Sequence, residues 1–121
     1  MIDSLFFREY NPKNYHCVHF VIESAQMIFN KDYSPCFIGL TNSLDETIKT
    51  SRQTVHRNKN INQPCEGCIV LMTKYDNSSH VGLYYENRVF HLDEDGPQRI
   101  TLEQAKIQFK RIRFYEPNLT N

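Results

Sequence analysis

Residues 80–91 read HVGLYYENRVFH. Histidines stand at both ends, and the polar pair Glu86-Asn87 separates two runs rich in Val, Leu, Tyr and Phe. Such residues suit a pleated, half-buried surface, and a short polar break between two such runs marks a tight hairpin turn. The segment is therefore read as two strands, HVGLYYEN and RVFHL. Folding at Glu86-Asn87 brings His80 level with His91. Parity along each strand allows both rings to share one face of the sheet.

Upstream, CIVLMTKY (residues 68–75) opens with a continuous apolar run after Pro64 and Gly67 and has the form of a buried strand. With a turn over Asp76–Ser79, the three strands form an antiparallel meander. Downstream, a turn is expected over Asp93–Gln98 around Gly96-Pro97. Thr101 and Gln104 have the spacing to cap a short helix, and KRIRFYE reads as a closing strand. Its basic run, Lys110–Arg113, is read as the solvated face of that strand.

The first half of the chain has a different period. Val18, Val21, Ile22, Ala25, Ile28 and Phe29 recur at spacings of three and four, which predicts a helix starting near Tyr15–Cys17 and ending near Asn30–Lys31. DYSPCFIGLTN reads as loop. Ser43 and Glu46 form a capping box ahead of a second helix, about Leu44–His56, with Asp45 and Glu46 in its dipole-favoured first turn. Asn58–Gln63 is a polar connection. Residues 1–13 form an entry segment with Phe6 and Phe7 as core anchors. Helices followed by a small antiparallel sheet define the α+β class, here as a single domain over residues 1–121.

Lys plus Arg total 14 and so do Asp plus Glu, so the net charge is zero and no nucleic-acid or anionic-membrane partner is implied. At 121 residues the chain can build one core. No stretch approaches the ~18 apolar residues of a membrane-spanning helix, so no membrane insertion is expected. MIDSLFFREYNPK lacks the basic start and long apolar stretch of a secretory signal. Synthesis in the cytoplasm follows, with Cys17, Cys36, Cys65 and Cys68 reduced by default. Packaging in a phage particle or another export route leaves no mark in such a sequence.

Chemistry concentrates at Cys17. The thiolate is the reactive form of cysteine, and a helix N-terminus favours it. The unpaired amides of that first turn also suit an oxyanion. A thiol nucleophile needs a base, and histidine titrates in the right range. His80 and His91 supply a base and a group to orient it.

HCVHFV entering a helix, then PCEGCIVLM, then HVGLYYENRVFH resembles the NlpC/P60 superfamily of papain-like cysteine peptidases, over Tyr15–His91. "HVGLYY…VFH" is the most specific part. The Cys-x-His-Phe form is similar to compact phage-encoded members. The resemblance implies a papain-like fold with N-terminal helices packed on a small antiparallel sheet. It implies Cys17 as nucleophile, His80 as base and His91 as the orienting residue, with no cofactor or metal. It also implies hydrolysis of an amide bond in peptidoglycan stem peptides, with a phage or delivery-system protein as partner. The family's residues around the nucleophile differ here: His16, Val18 and His19 replace its usual Asp and Ser-Gly, and Pro64-Cys65-Glu66-Gly67 replaces Pro-Gly-Asp. Those departures bear on specificity and leave the triad intact.

Two other readings stand beside this one. In one, the fold serves as a non-catalytic virion, tail or interaction module with an idle thiol. Alternatively, HCVH (His16, Cys17, His19) and CEGC (Cys65, Cys68) are joint ligands of zinc, although the second half lacks firm ligand spacing. His19 is read as a surface or structural residue, since it does not share a helix face with Cys17. A protonated His16 would lower the Cys17 pKa. Tyr15, Tyr84 and Tyr85 are candidates for lining a cleft.

Overall fold

The computed structural model describes residues 2–37 and 58–119. The capping box at Ser43 and Glu46 and the helix expected over Leu44–His56 lie outside the described residues. A 3-10 turn, Ile2–Phe7, leads to helix α1, Cys17–Phe29, and a second 3-10 turn, Ser34–Phe37. Strands β1 (Lys59–Ile61), β2 (Ile69–Thr73), β3 (Ser79–Tyr85), β4 (Arg88–Asp93) and β5 (Gly96–Thr101) follow. Helix α2 (Leu102–Gln108) and strand β6 (Arg111–Glu116) complete them. The sheet is antiparallel with order β1-β6-β2-β3-β4-β5. The class is α+β, as expected.

The meander holds, with Leu71 opposite Val81, Met72 opposite His80 and Leu83 opposite Phe90. Glu86 and Asn87 both have positive φ, 49° and 62°, the signature of a two-residue type I′ turn. Glu86 is unusual in that conformation, and the Glu66 carboxylate accepts a hydrogen bond from its amide at 2.9 Å. Thr101 and Gln104 cap α2 reciprocally, at 3.1 and 2.8 Å.

Three expectations need correction. Phe7 is not a core anchor: it is 82% exposed, while Leu5 is buried and Phe6 packs on Phe90. The Asp93–Gln98 segment is mostly strand. Its turn is only Glu94-Asp95, after which Gly96–Thr101 pairs with β4 along its whole length. Pro97 is tolerated because β5 is an edge strand, where a missing amide breaks no ladder bond. The polar connection Asn58–Gln63 contains β1, an edge strand whose Asn60 side chain bonds to Phe114 O. Its exposed, polar residues carry no alternation that marks a strand.

Both faces of the sheet are covered. Val18, Phe20, Val21 and Ala25 of α1 pack with Ile69, Leu71, Val81, Leu83, Phe90 and Leu92. The alternate residues Val70, Met72, Tyr84 and Val89 pack with Ala105 and Phe109 at α2. The central strands are buried on both sides, which is why their sequences run apolar without a break. Among the described residues, α1 thus covers one face of the sheet and α2 the other.

Candidate active site

Cys17 is the first residue of α1. His16 precedes it in extended conformation, and the His19 ring turns back so that its Nδ1 accepts the His16 amide at 3.2 Å. His19 thus closes the helix start, the structural role expected of it. The Cys17 thiol is 5% exposed and packs on the α1 face of the sheet. The ladder between β3 and β4 ends at Leu83–Phe90. Val81, beyond that point, offers its amide to the Cys17 sulfur.

His80 and His91 meet on the opposite face. Continuing the register one step past Leu83–Phe90 sets His91 across from Gly82, two residues from His80. The rings are therefore diagonal neighbours rather than level. His80 Nε2 and His91 Nδ1 are 3.0 Å apart, with the rings perpendicular. Phe109, at the end of α2, stacks on His80 at 6.0 Å between centroids and meets His91 edge-on at 5.9 Å. When the His80 Nε2–H donates to His91, Nδ1 of His80 keeps a lone pair for a proton. The reverse tautomer removes the base, so His91 sets the competence of His80.

A cavity of about 220 Å³ joins the two faces at this end of the sheet, lined by Cys17 and His80 together with Tyr10, Lys74, Asp93 and Glu94 among others. Cys17 and His80 share it without a direct hydrogen bond. Catalytic pairs commonly tighten only around bound substrate. His91 lies behind His80, fully buried.

Burial dominates the electrostatics. It raises the Cys17 pKa above the ordinary thiol value, while the amides of Val81, Val18 and Cys17 and the Lys74 charge pull it down. The helix start therefore acts in the expected direction but does not outweigh desolvation. Burial, His91 and Lys74 hold His80 well below the usual histidine range. Burial takes His91 to about 4. Thiol and imidazole are both neutral at neutral pH. A protonated His16 would lower the thiol pKa, but burial disfavours that form: fully buried, with neither ring nitrogen hydrogen-bonded, His16 is pushed to about 4.

The HCVH and CEGC stretches do not assemble. Cys68 precedes β2, whereas Met72, opposite His80, lies four residues on, roughly 13 Å along a strand. Among the described residues no group of three His, Cys, Asp or Glu is placed to hold a metal. Cys65 is exposed, and burial pushes the Cys68 thiol up to about 12. Tyr15 faces a different groove, with Arg8 and Glu23, and Tyr84 and Tyr85 lie away from the cavity. Sequence reasoning missed Tyr10, Lys74 and Phe109. Lys74 and Tyr10 sit in connections with no periodic signal. Phe109 follows a helix one residue past its end. No family model matches the chain, and comparison with curated proteins finds no match.

Proposed function

We propose that the protein is a cysteine hydrolase of papain-like, NlpC/P60 type that cleaves an amide bond through Cys17, His80 and His91. The observation that carries this reading is the hydrogen-bonded His80–His91 pair abutting the same cavity as the thiol of a helix-initial cysteine. His80 Nδ1 takes the thiol proton as Cys17 Sγ attacks the carbonyl carbon. The amides at the start of α1 stabilise the oxyanion. Collapse expels the amine, which leaves with the proton from His80, and a thioacyl-enzyme remains. Water, deprotonated by His80, then releases the acid and the free thiol.

The substrate class proposed is a peptidoglycan stem peptide, with delivery to the cell wall by a virion or similar route. The missing Cys17–His80 hydrogen bond and the raised thiol pKa favour one rival, a virion or interaction module of the same fold with an idle thiol. Peptide-mapped labelling with iodoacetamide at neutral pH separates the two. The hydrolase reading expects Cys17 to react well ahead of buried Cys36, and a peptidoglycan digest to gain amine termini that the Cys17→Ala variant does not produce. Labelling no faster than Cys36 would sink catalysis. Reactive Cys17 without new amine termini would move the substrate to another class of amide.

A further inference from the structure

Lys74 follows β2, and its backbone is fixed on both sides: its amide donates to Ser78 O and its carbonyl accepts from Asn77 N, each at 2.9 Å. The side chain is half-buried and lines the cavity with Cys17 and His80. Two of the three carboxylates lining the cavity accept hydrogen bonds from their own turns, Glu94 being the third. Asp76 accepts from the Ser78 amide and hydroxyl, and Asp93 accepts from the Gln98 side chain and the Asp95 amide. Lys74 forms no ion pair with a described carboxylate.

We infer that Lys74 is the positive charge that stabilises the negative charge developing on the Cys17 sulfur as its proton leaves, so that the site does not depend on a standing imidazolium at His80. This rests on the reading of Cys17 as a nucleophile. The groups facing Cys17 are Tyr10 from the N-terminal segment, Lys74 and Asp76 from the β2–β3 turn, His80 from β3, and Asp93 and Glu94 from the β4–β5 turn. Of these, Lys74 carries the one amine side chain. Burial, His91 and Lys74 itself all disfavour a charged His80, so a preformed thiolate–imidazolium pair is disfavoured. The proton still passes from Cys17 Sγ to His80 when attack occurs. Lys74 acts through the sulfur as a positioning charge, and partial burial protects that charge from screening by salt.

The test is the pH profile of Cys17 alkylation by iodoacetamide, peptide-mapped, in the full chain and in Lys74→Met and Lys74→Arg. Met keeps the apolar stem and removes the charge. The inference expects Lys74→Met to move the midpoint upward by about half to one pH unit, a roughly threefold to tenfold slower reaction at pH 7. Lys74→Arg should stay within about twofold of the unchanged protein. The ratio of iodoacetate to iodoacetamide rates should fall in Lys74→Met, because the anionic reagent loses its attractor. A Lys74→Met protein that is folded by circular dichroism but keeps the original profile and ratio overturns the inference and leaves the hydrolase reading standing. Unreactive Cys17 in the unchanged protein overturns both.

Discussion

Gly82 lies at the point where β3 and β4 part, and its replacement by alanine tests both the fold and the site. A Cβ there would stand 2.8 Å from Val89 Cγ1, 2.9 Å from Phe90 O and 3.2 Å from Met72 Cε. The Met72 methyl can swing aside. Phe90 O is backbone, and restoring an ordinary contact of 3.4 Å requires β4 to retreat by roughly 0.5 Å. Overpacking of this kind costs ~1–3 kcal/mol. For a domain of this size that corresponds to a fall in Tm of roughly 3–15 °C. His91 follows Phe90 directly, so the same retreat stretches the 3.0 Å His80–His91 contact toward the limit of hydrogen-bond range and weakens it. Thermal unfolding by circular dichroism reads the first effect. Imidazole resonances of His80 and His91 read the second. A Gly82→Ala protein with Tm within about 1 °C of the parent and unshifted imidazole signals would refute the close approach of the two strands.

Acid should weaken the fold from a high pH. His16 and His91 sit at about 4 when folded and near 6.5 when unfolded, so the unfolded chain binds protons first. Their contribution is intact above pH 6.5 and lost as the pH falls toward 4, about 2 kcal/mol for each by pH 5; urea midpoints at pH 7 and 5 check this, and His16→Phe should flatten the fall. Gly67 holds φ at +82° with Tyr33 Oη 2.9 Å from the position of a Cβ, and its carbonyl accepts from that hydroxyl at 2.6 Å. Gly67→Ala should therefore cost ~1–3 kcal/mol by chemical denaturation, and no change would mean that the turn is free to relax. Phe109→Leu keeps an apolar wall but removes the ring stacked on His80. Under the proposed hydrolase reading, amide hydrolysis should fall roughly tenfold with the pH profile altered, because near-attack geometry is sensitive to small displacements; an unchanged rate would reduce Phe109 to packing.

Which parts of this arrangement were legible follows from what periodicity encodes. The 3.6-residue spacing of Val18, Val21 and Ala25 defines α1 because those side chains are the ones buried. The apolar run from Ile69 to Met72 identifies β2 because both its faces are covered. β1 and β5 escaped notice because edge strands are selected for pairing on one side only, and Lys59, Asn60 and Pro97 have no burial pattern to display. Parity allowed His80 and His91 to share a face, as they do, but it says nothing of Cys17, which lies on a helix. The thiol belongs to the α1 face, and the histidines belong to the α2 face with Phe109. They reach one cavity because the β3–β4 ladder stops at Leu83–Phe90 and leaves Val81 open to the sulfur. Alternation specifies faces but not the length of a ladder. The end of this one falls beside Val81, whose amide meets the Cys17 sulfur, a tertiary fact without a local signature. The neutral resting charges have the same origin. A histidine in a sequence carries its solution pKa, and only the depth at which the chain buries His80, His91 and His16 turns them into bases held below the physiological range.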